Sequence, residues 1–413
     1  MKKLLLPLFV LISSVLFAQK SKVMDFPSQE LNASRIIKIH VPKSYKEDGD
    51  RVYPLTIILD SEYLFDIYVA NAKLFANKDK APEQIIVGIT QNQSSPKERY
   101  QDCEYDNINS MPTAKSTAFY KFIRNELLTY MDNNYRISPF KTIVGNTLTA
   151  NFINYFMIEK TPAFQAYVNL NPSYAPDILS MLHDKIPTVE ENIFYYMISG
   201  TYNGARNKKV VEVDNLLKSS QNELFNYRFD EVDNSTKEAS IGQGIASSLA
   251  FIFDQYSAIS KEEFKNKVAK LSPPEAIEYL EKKYVEIEYL FGANIKIRER
   301  DIYAIEGIVL DKEDGDYLEE FGKMINRLYP NSPIGDYYIG RYYETGKNYK
   351  KALKYYKNGF TKIASDDPNK EGYYQNVERV LALRKRGNVE EPEEEAPEDE
   401  APQEETPEDN NNK

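Results

Sequence analysis

The chain has 413 residues, 42% of them hydrophobic, with one cysteine, two histidines and a formal charge of −11 at pH 7. A single cysteine excludes an intramolecular disulfide framework, so a packed core must hold the fold, and the length suffices for one large domain plus a smaller one. Glu390 to Asp409 carry twelve acidic and no basic residues; without that tail, Lys413 and Lys2-Lys3, the formal charge is about −2, which excludes the basic footprint of a nucleic-acid binder.

Lys2-Lys3, the apolar run Leu4 to Phe17 and Ala18 before Gln19 form an export leader, shorter than the ~20 residues of a membrane span. No cysteine directly follows the apolar run, so lipid attachment there is not expected. The mature chain is expected in the periplasm or cell envelope, or secreted, with no membrane span.

From Ser34 to about Asp254, strand-like and helix-like segments alternate. Ile36 to Val41 alternates as a strand does, and Leu55 to Leu59 and Ile85 to Ile89 are continuous apolar runs suited to buried parallel strands. Phe119, Phe122, Ile123, Leu127 and Leu128 recur at helical spacing ahead of a fourth strand, Thr142-Ile143-Val144. Tyr167 to Leu170 and Phe194 to Ser199 supply two more. The order predicts an α/β fold, a mostly parallel sheet with helices on both faces.

Beyond Lys261 the chain turns to charged amphipathic helices, one opening at Pro273-Pro274 after Ser272. Gly335 to Thr345 and Lys350 to Ile363 resemble one tetratricopeptide helix pair, in which Gly340 and Ala352 allow close approach. Tyr337, Tyr338, Tyr342 and Tyr343 either line an exposed groove or pack the pair together. The expected division is a leader over 1–18, an α/β domain over 19–258, a helical extension over 259–385 with the TPR-like pair at about 333–363, and a disordered acidic tail over 386–413.

Gly145-Asn146-Thr147-Leu148-Thr149-Ala150 lies between a strand and a helix, the setting of a G-x-S-x-G nucleophile elbow, but the serine is a threonine. Four ordered blocks surround it: Ser34 to Pro42 with Tyr45 and Tyr53-Pro54-Leu55 to Leu59-Asp60; Ile86 to Ile89 with Arg99 and Asp102; Phe119 to Leu127 with Tyr135-Arg136; and Phe164 to Ser173. Together they resemble the putative-esterase family of α/β-hydrolases, which includes esterase D-like and ferric-siderophore esterases. The resemblance covers about 220 residues and implies an α/β-hydrolase fold whose first block includes an opening hairpin.

It also implies a catalytic triad, which this chain departs from. Thr147 stands at the nucleophile position, where a β-branched residue is costly on a strained turn, so a relaxed elbow with an inert threonine is expected. Lys237 stands nearest the histidine position and Asn203, by a looser match, at that of the acid. The backbone amides of Leu148 and Ser61 are the candidate oxyanion donors. His40 and His183 read as structural or surface residues, and neither has metal-ligand spacing to another ligating residue. No metal or cofactor is expected.

These readings favour an exported, catalytically degraded esterase homologue, binding a small molecule or envelope protein of unknown identity. The alternatives are an active carboxylic-ester hydrolase with a Thr147/Lys237 centre and a tetratricopeptide-type adaptor.

Overall fold

The apolar runs assemble into one sheet. The computed structural model describes residues 21–46, 49–92, 95–200, 204–233, 236–293, 295–310, 315 and 317–386; the expected leader, the acidic tail and Asn203 lie outside them. Strands β1 (Lys22–Ser28), β2 (Ala33–His40), β3 (Tyr53–Ile58), β4 (Ile85–Ile89), β5 (Ile137–Asn146), β6 (Ala166–Leu170), β7 (Ile193–Gly200) and β8 (Phe225–Val232) lie in the order β1-β2-β4-β3-β5-β6-β7-β8. From β4 to β8 all pairings are parallel, while β1–β2 and β2–β4 are antiparallel. The expected α/β-hydrolase-like sheet is present.

Helices follow the strands as crossovers. They are α1 (Ser61–Asn77), α2 (Glu98–Cys103), α3 (Ala114–Lys121), α4 (Leu128–Asn134), α5 (Leu148–Phe152), α6 (Ile178–Lys185), α7 (Gly204–Lys218) and α8 (Lys237–Ile252). Every residue of β3 and β4 is buried, as strands covered on both faces must be. On one face Ile57, Val87, Ile143, Tyr167 and Tyr195 pack with Phe119, Phe122, Phe152 and Ile178. The period of two explains why neighbours such as Ile58 and Val144 serve the other face.

Three local features depart from the sequence expectations. The helical spacing at 119–128 contains one wider π-type turn, Phe122–Leu127. Its Glu126 accepts the backbone N–H groups of Gln29 and Glu30 at 2.9 and 3.2 Å and so holds the β1–β2 hairpin. Strands β1 and β8 complete the sheet edges, where half-exposed residues interrupt the apolar signal. Pro27 is tolerated in β1 because that strand is an edge.

The chain divides into a first unit up to Ile308 and a second from Val309. Helices α9 (Lys261–Asn266) and α10 (Pro273–Phe291) count with the first unit, although their charge pattern matches the extension. Aromatic packing explains this: Phe291 of α10 lies 5.0 Å from the ring of Phe140 in β5 and 5.2 Å from Phe253. Pro273 opens α10, and the Glu275 carboxylate accepts the Ser272 amide at 2.8 Å. Helix α11 (Glu299–Leu310) follows, with its buried Asp301 accepting from Ile259 N at 2.9 Å and from the Tyr284 hydroxyl at 2.7 Å.

The second unit contains α12 (Leu318–Leu328), α13 (Ile334–Thr345), α14 (Tyr349–Thr361) and α15 (Lys370–Arg386). Asp336, 1% exposed, is neutralised by Lys362 Nζ at 2.6 Å and receives Asn326 and Asn358 side-chain amides, joining α12, α13 and α14. Tyr338 is buried against Phe321, Tyr337 meets Tyr356, and Tyr343 stacks on Tyr355. These tyrosines pack helices together. Gly340 makes that packing possible, because a Cβ there would lie 2.7 Å from the Tyr356 ring. Gly340→Ala is therefore expected to destabilise the second unit by about 1–3 kcal/mol. Urea unfolding of the full chain checks this, and an unchanged profile would contradict the close packing.

Candidate functional site

The parallel strands end at one edge of the sheet, where the elbow stands. Thr147 follows β5 with φ 59° and ψ −107°, a strained conformation for a β-branched residue. The elbow is therefore not relaxed, contrary to the expectation from threonine's shape. Its surroundings hold it: Thr147 N donates to Leu170 O at 2.9 Å and Thr147 O accepts from Ser173 N at 3.1 Å. Gly145 admits the following helix so closely that a Cβ would lie 2.5 Å from the Thr149 carbonyl.

A second left-handed residue faces the elbow. Asp60, just after β3, has φ 57° and ψ 39° and is 1% exposed. Its carboxylate accepts the Thr149 hydroxyl at 2.7 Å, and the same Thr149 oxygen accepts Asn146 N at 2.6 Å. A buried carboxylate needs a cation, and Arg99 of α2 supplies it in a two-pronged ion pair, Nε to Oδ1 and Nη2 to Oδ2. Burial opposes the Arg99 charge, but the Asp60 hydrogen bonds and charge outweigh it and raise its pKa.

Arg99 also reaches the nucleophile position. Its Nη2 donates to Thr147 Oγ1 at 3.2 Å and to Asn146 O at 2.9 Å. Among the described residues, Arg99 is the hydrogen-bond partner of the Thr147 hydroxyl. A guanidinium has no lone pair for a proton and does not deprotonate in proteins, so it cannot act as a general base. The Tyr63 hydroxyl accepts Asn146 Nδ2 at 2.8 Å. Burial, then the Asp60 charge, pushes its phenol up to about 12, so it stays protonated near neutrality. The Asn146 Oδ1 is buried without a partner.

Leu148 and Ser61 begin α5 and α1, so their amides have no acceptor within the helices they open. The structure brings Thr147, Leu148 and the Asp60-Ser61 turn together through the Asp60–Thr149 bond. Lys237 begins α8. That helix is tied to the same sheet edge, because Asn171, next after β6, donates to Ser240 Oγ at 2.9 Å and its own amide donates to Ile198 O at 2.8 Å. Asn203 lies outside the described residues. His40 is buried at the end of β2, and His183 is exposed on α6 beside Asp184. Among the described residues no cluster of ligating side chains could hold a metal ion, and no helix is long and apolar enough to cross a membrane.

Sequence reasoning assigned no role to Asp60, Tyr63 or Arg99. An acid directly after the buried run Leu55 to Leu59 was the available signal, since its charge required a partner. Removing Arg99 while leaving Asp60 buried is expected to cost about 3 kcal/mol. Arg99→Leu should lower the urea midpoint accordingly, and Asp60→Asn in the same chain should recover part of the loss. Equal stability of Arg99→Leu and the parent would contradict this role.

Residues 28–152 match the family described as Putative esterase. An uncharacterised protein from Capnocytophaga ochracea has a similar structure at 26% identity and TM-score 0.78, over 88% of this chain and 100% of its own. An IroE-like serine hydrolase from Shewanella oneidensis shares the fold at 17% identity and TM-score 0.54, over 75% of this chain and 98% of its own. No curated protein matches.

Proposed function

We propose, from the match of residues 28–152 to the putative-esterase family, that the chain is an exported and catalytically silent esterase homologue used for binding or scaffolding in the cell envelope. The hydrogen bond from Arg99 to Thr147 Oγ1 carries this reading. In a serine hydrolase the nucleophile gives its proton to a base that an acid orients. Here the neighbour of the hydroxyl is a donor, itself clamped by Asp60. Lys237 and Asn203 at the other two triad positions support the same reading. Loss of such a triad costs on the order of 10⁶ in turnover, leaving little beyond backbone stabilisation of the oxyanion. Export rests on the Lys2-Lys3 and Leu4 to Phe17 leader.

Short-chain nitrophenyl esters test the reading. The full chain is expected to hydrolyse them at the buffer rate, and Thr147→Ser should not raise it, because a better nucleophile still lacks a base. Turnover well above buffer that disappears in Thr147→Ala would overturn the proposal.

One observation favours a second reading, an active ester hydrolase with a Thr147/Lys237 centre. The strained backbone at Thr147 costs about 1–3 kcal/mol and persists, as at working active sites. That centre needs a Lys237 amine neutral near pH 7. It predicts ester turnover that both Thr147→Ala and Lys237→Met abolish; turnover that survives Lys237→Met would exclude it.

A further inference from the structure

The opposite end of the sheet holds a second chemical environment. Strand β4 starts at Ile85, and His40 at the end of β2 is paired with Ile86. Helix α1 covers this region with its last turns. Between them lies a cavity of about 190 Å³, lined by His40, Lys43, Lys73, Glu83, Gln84 and Ile86 among others. It sits at the amino ends of the parallel strands, whereas Thr147 sits beyond the carboxyl end of β5. The two sites are distinct.

The charges around this cavity do not balance. Glu83 is engaged by the Ser44 hydroxyl and by Arg51 Nη1 at 3.2 Å. Lys43 and Lys73, both exposed at the cavity rim, have no ion-pair partner among the described residues. Neither ring nitrogen of His40, a residue only 3% exposed, has a hydrogen-bond partner among them. Gln84, also 3% exposed, accepts Thr56 Oγ1 at 2.8 Å through Oε1 while its Nε2 is buried without a partner. The buried imidazole and the orphaned amide donor call for a polar partner, and the two lysines, exposed at the rim, make an acceptor-bearing anion the fitting one. Ala72, Ala76 and Ile86 give the remaining wall an apolar surface suited to a short alkyl group.

We propose that this cavity binds a small organic carboxylate, its oxygens held by Lys43 and Lys73 beside the His40 imidazole and its alkyl part against α1. The site is independent of the reading of Thr147. Burial, and then the charge of Lys73, lowers the His40 pKa from 6.5 to about 4. The groups facing it are Lys73 from α1, Lys43 after β2 and Glu83 before β4. A bound carboxylate favours the imidazolium, so occupancy raises the His40 pKa, and protonation of His40 in turn tightens binding.

Two histidines in the chain make the test direct. The full chain carrying ¹³C-histidine is titrated at pH 6 with sodium butyrate against matched sodium chloride, and the His40 signal is assigned by its persistence in His183→Gln. The His40 Cε1–Hε1 signal is expected to move saturably, with its titration midpoint displaced upward, while that of His183 stays in place. In Lys43→Gln/Lys73→Gln, whose fold is checked by circular dichroism, the affinity should fall at least about tenfold. A stationary or non-saturating His40 signal would overturn the proposal, as would an equal response in the double variant. Phosphate binding as tight as butyrate would overturn the carboxylate assignment.

Discussion

A single buried charge organises the elbow end of the sheet. Asp60 sits in a left-handed turn after β3, almost without solvent, and a carboxylate in that position requires compensation. Arg99 compensates it and thereby draws α2 onto the elbow. Thr149 adds its hydroxyl to the same carboxylate and its oxygen to the Asn146 amide. The charge pair, the turn and the first residues of α5 thus form one connected assembly.

That assembly separates geometry from chemistry. The strand–turn–helix path of a nucleophile elbow survives at Thr147, strained backbone included, because Gly145 permits the close approach and Leu170 of β6 and Ser173 beyond it fix both backbone groups. The proton chemistry does not follow from it. The group touching the hydroxyl is Arg99, whose role is to neutralise Asp60, and Tyr63 stays protonated. On the proposed reading the strand–turn–helix frame is retained for its packing, with the elbow hydroxyl drawn into a structural ion pair.

Much of the fold was legible in the chain. Continuous apolar runs located β3 and β4, whose two covered faces erase the polar alternation of a half-exposed strand. The edge strands β1 and β8 were not found from residues alone, since exposed positions and Pro27 dilute the apolar signal. Gly340 did reveal the tight helix pair of the second unit, where the Tyr356 ring fills the space of the missing Cβ. The site was less legible. Threonine's local preference pointed to a relaxed turn, and long-range contacts from Leu170, Ser173 and the Asp60–Thr149 bond override it. Arg99 is 48 positions from Thr147, and only the three-dimensional path of α2 brings them together.

The central proposal is that the Thr147 hydroxyl, which accepts from a guanidinium and has no base as a hydrogen-bond partner among the described residues, is not a nucleophile. Fluorophosphonate labelling of the full chain, read by intact mass, measures that property without depending on the choice of ester. The account predicts no adduct at Thr147 after prolonged exposure. A stoichiometric adduct that maps to Thr147 and is absent from Thr147→Ala would contradict it.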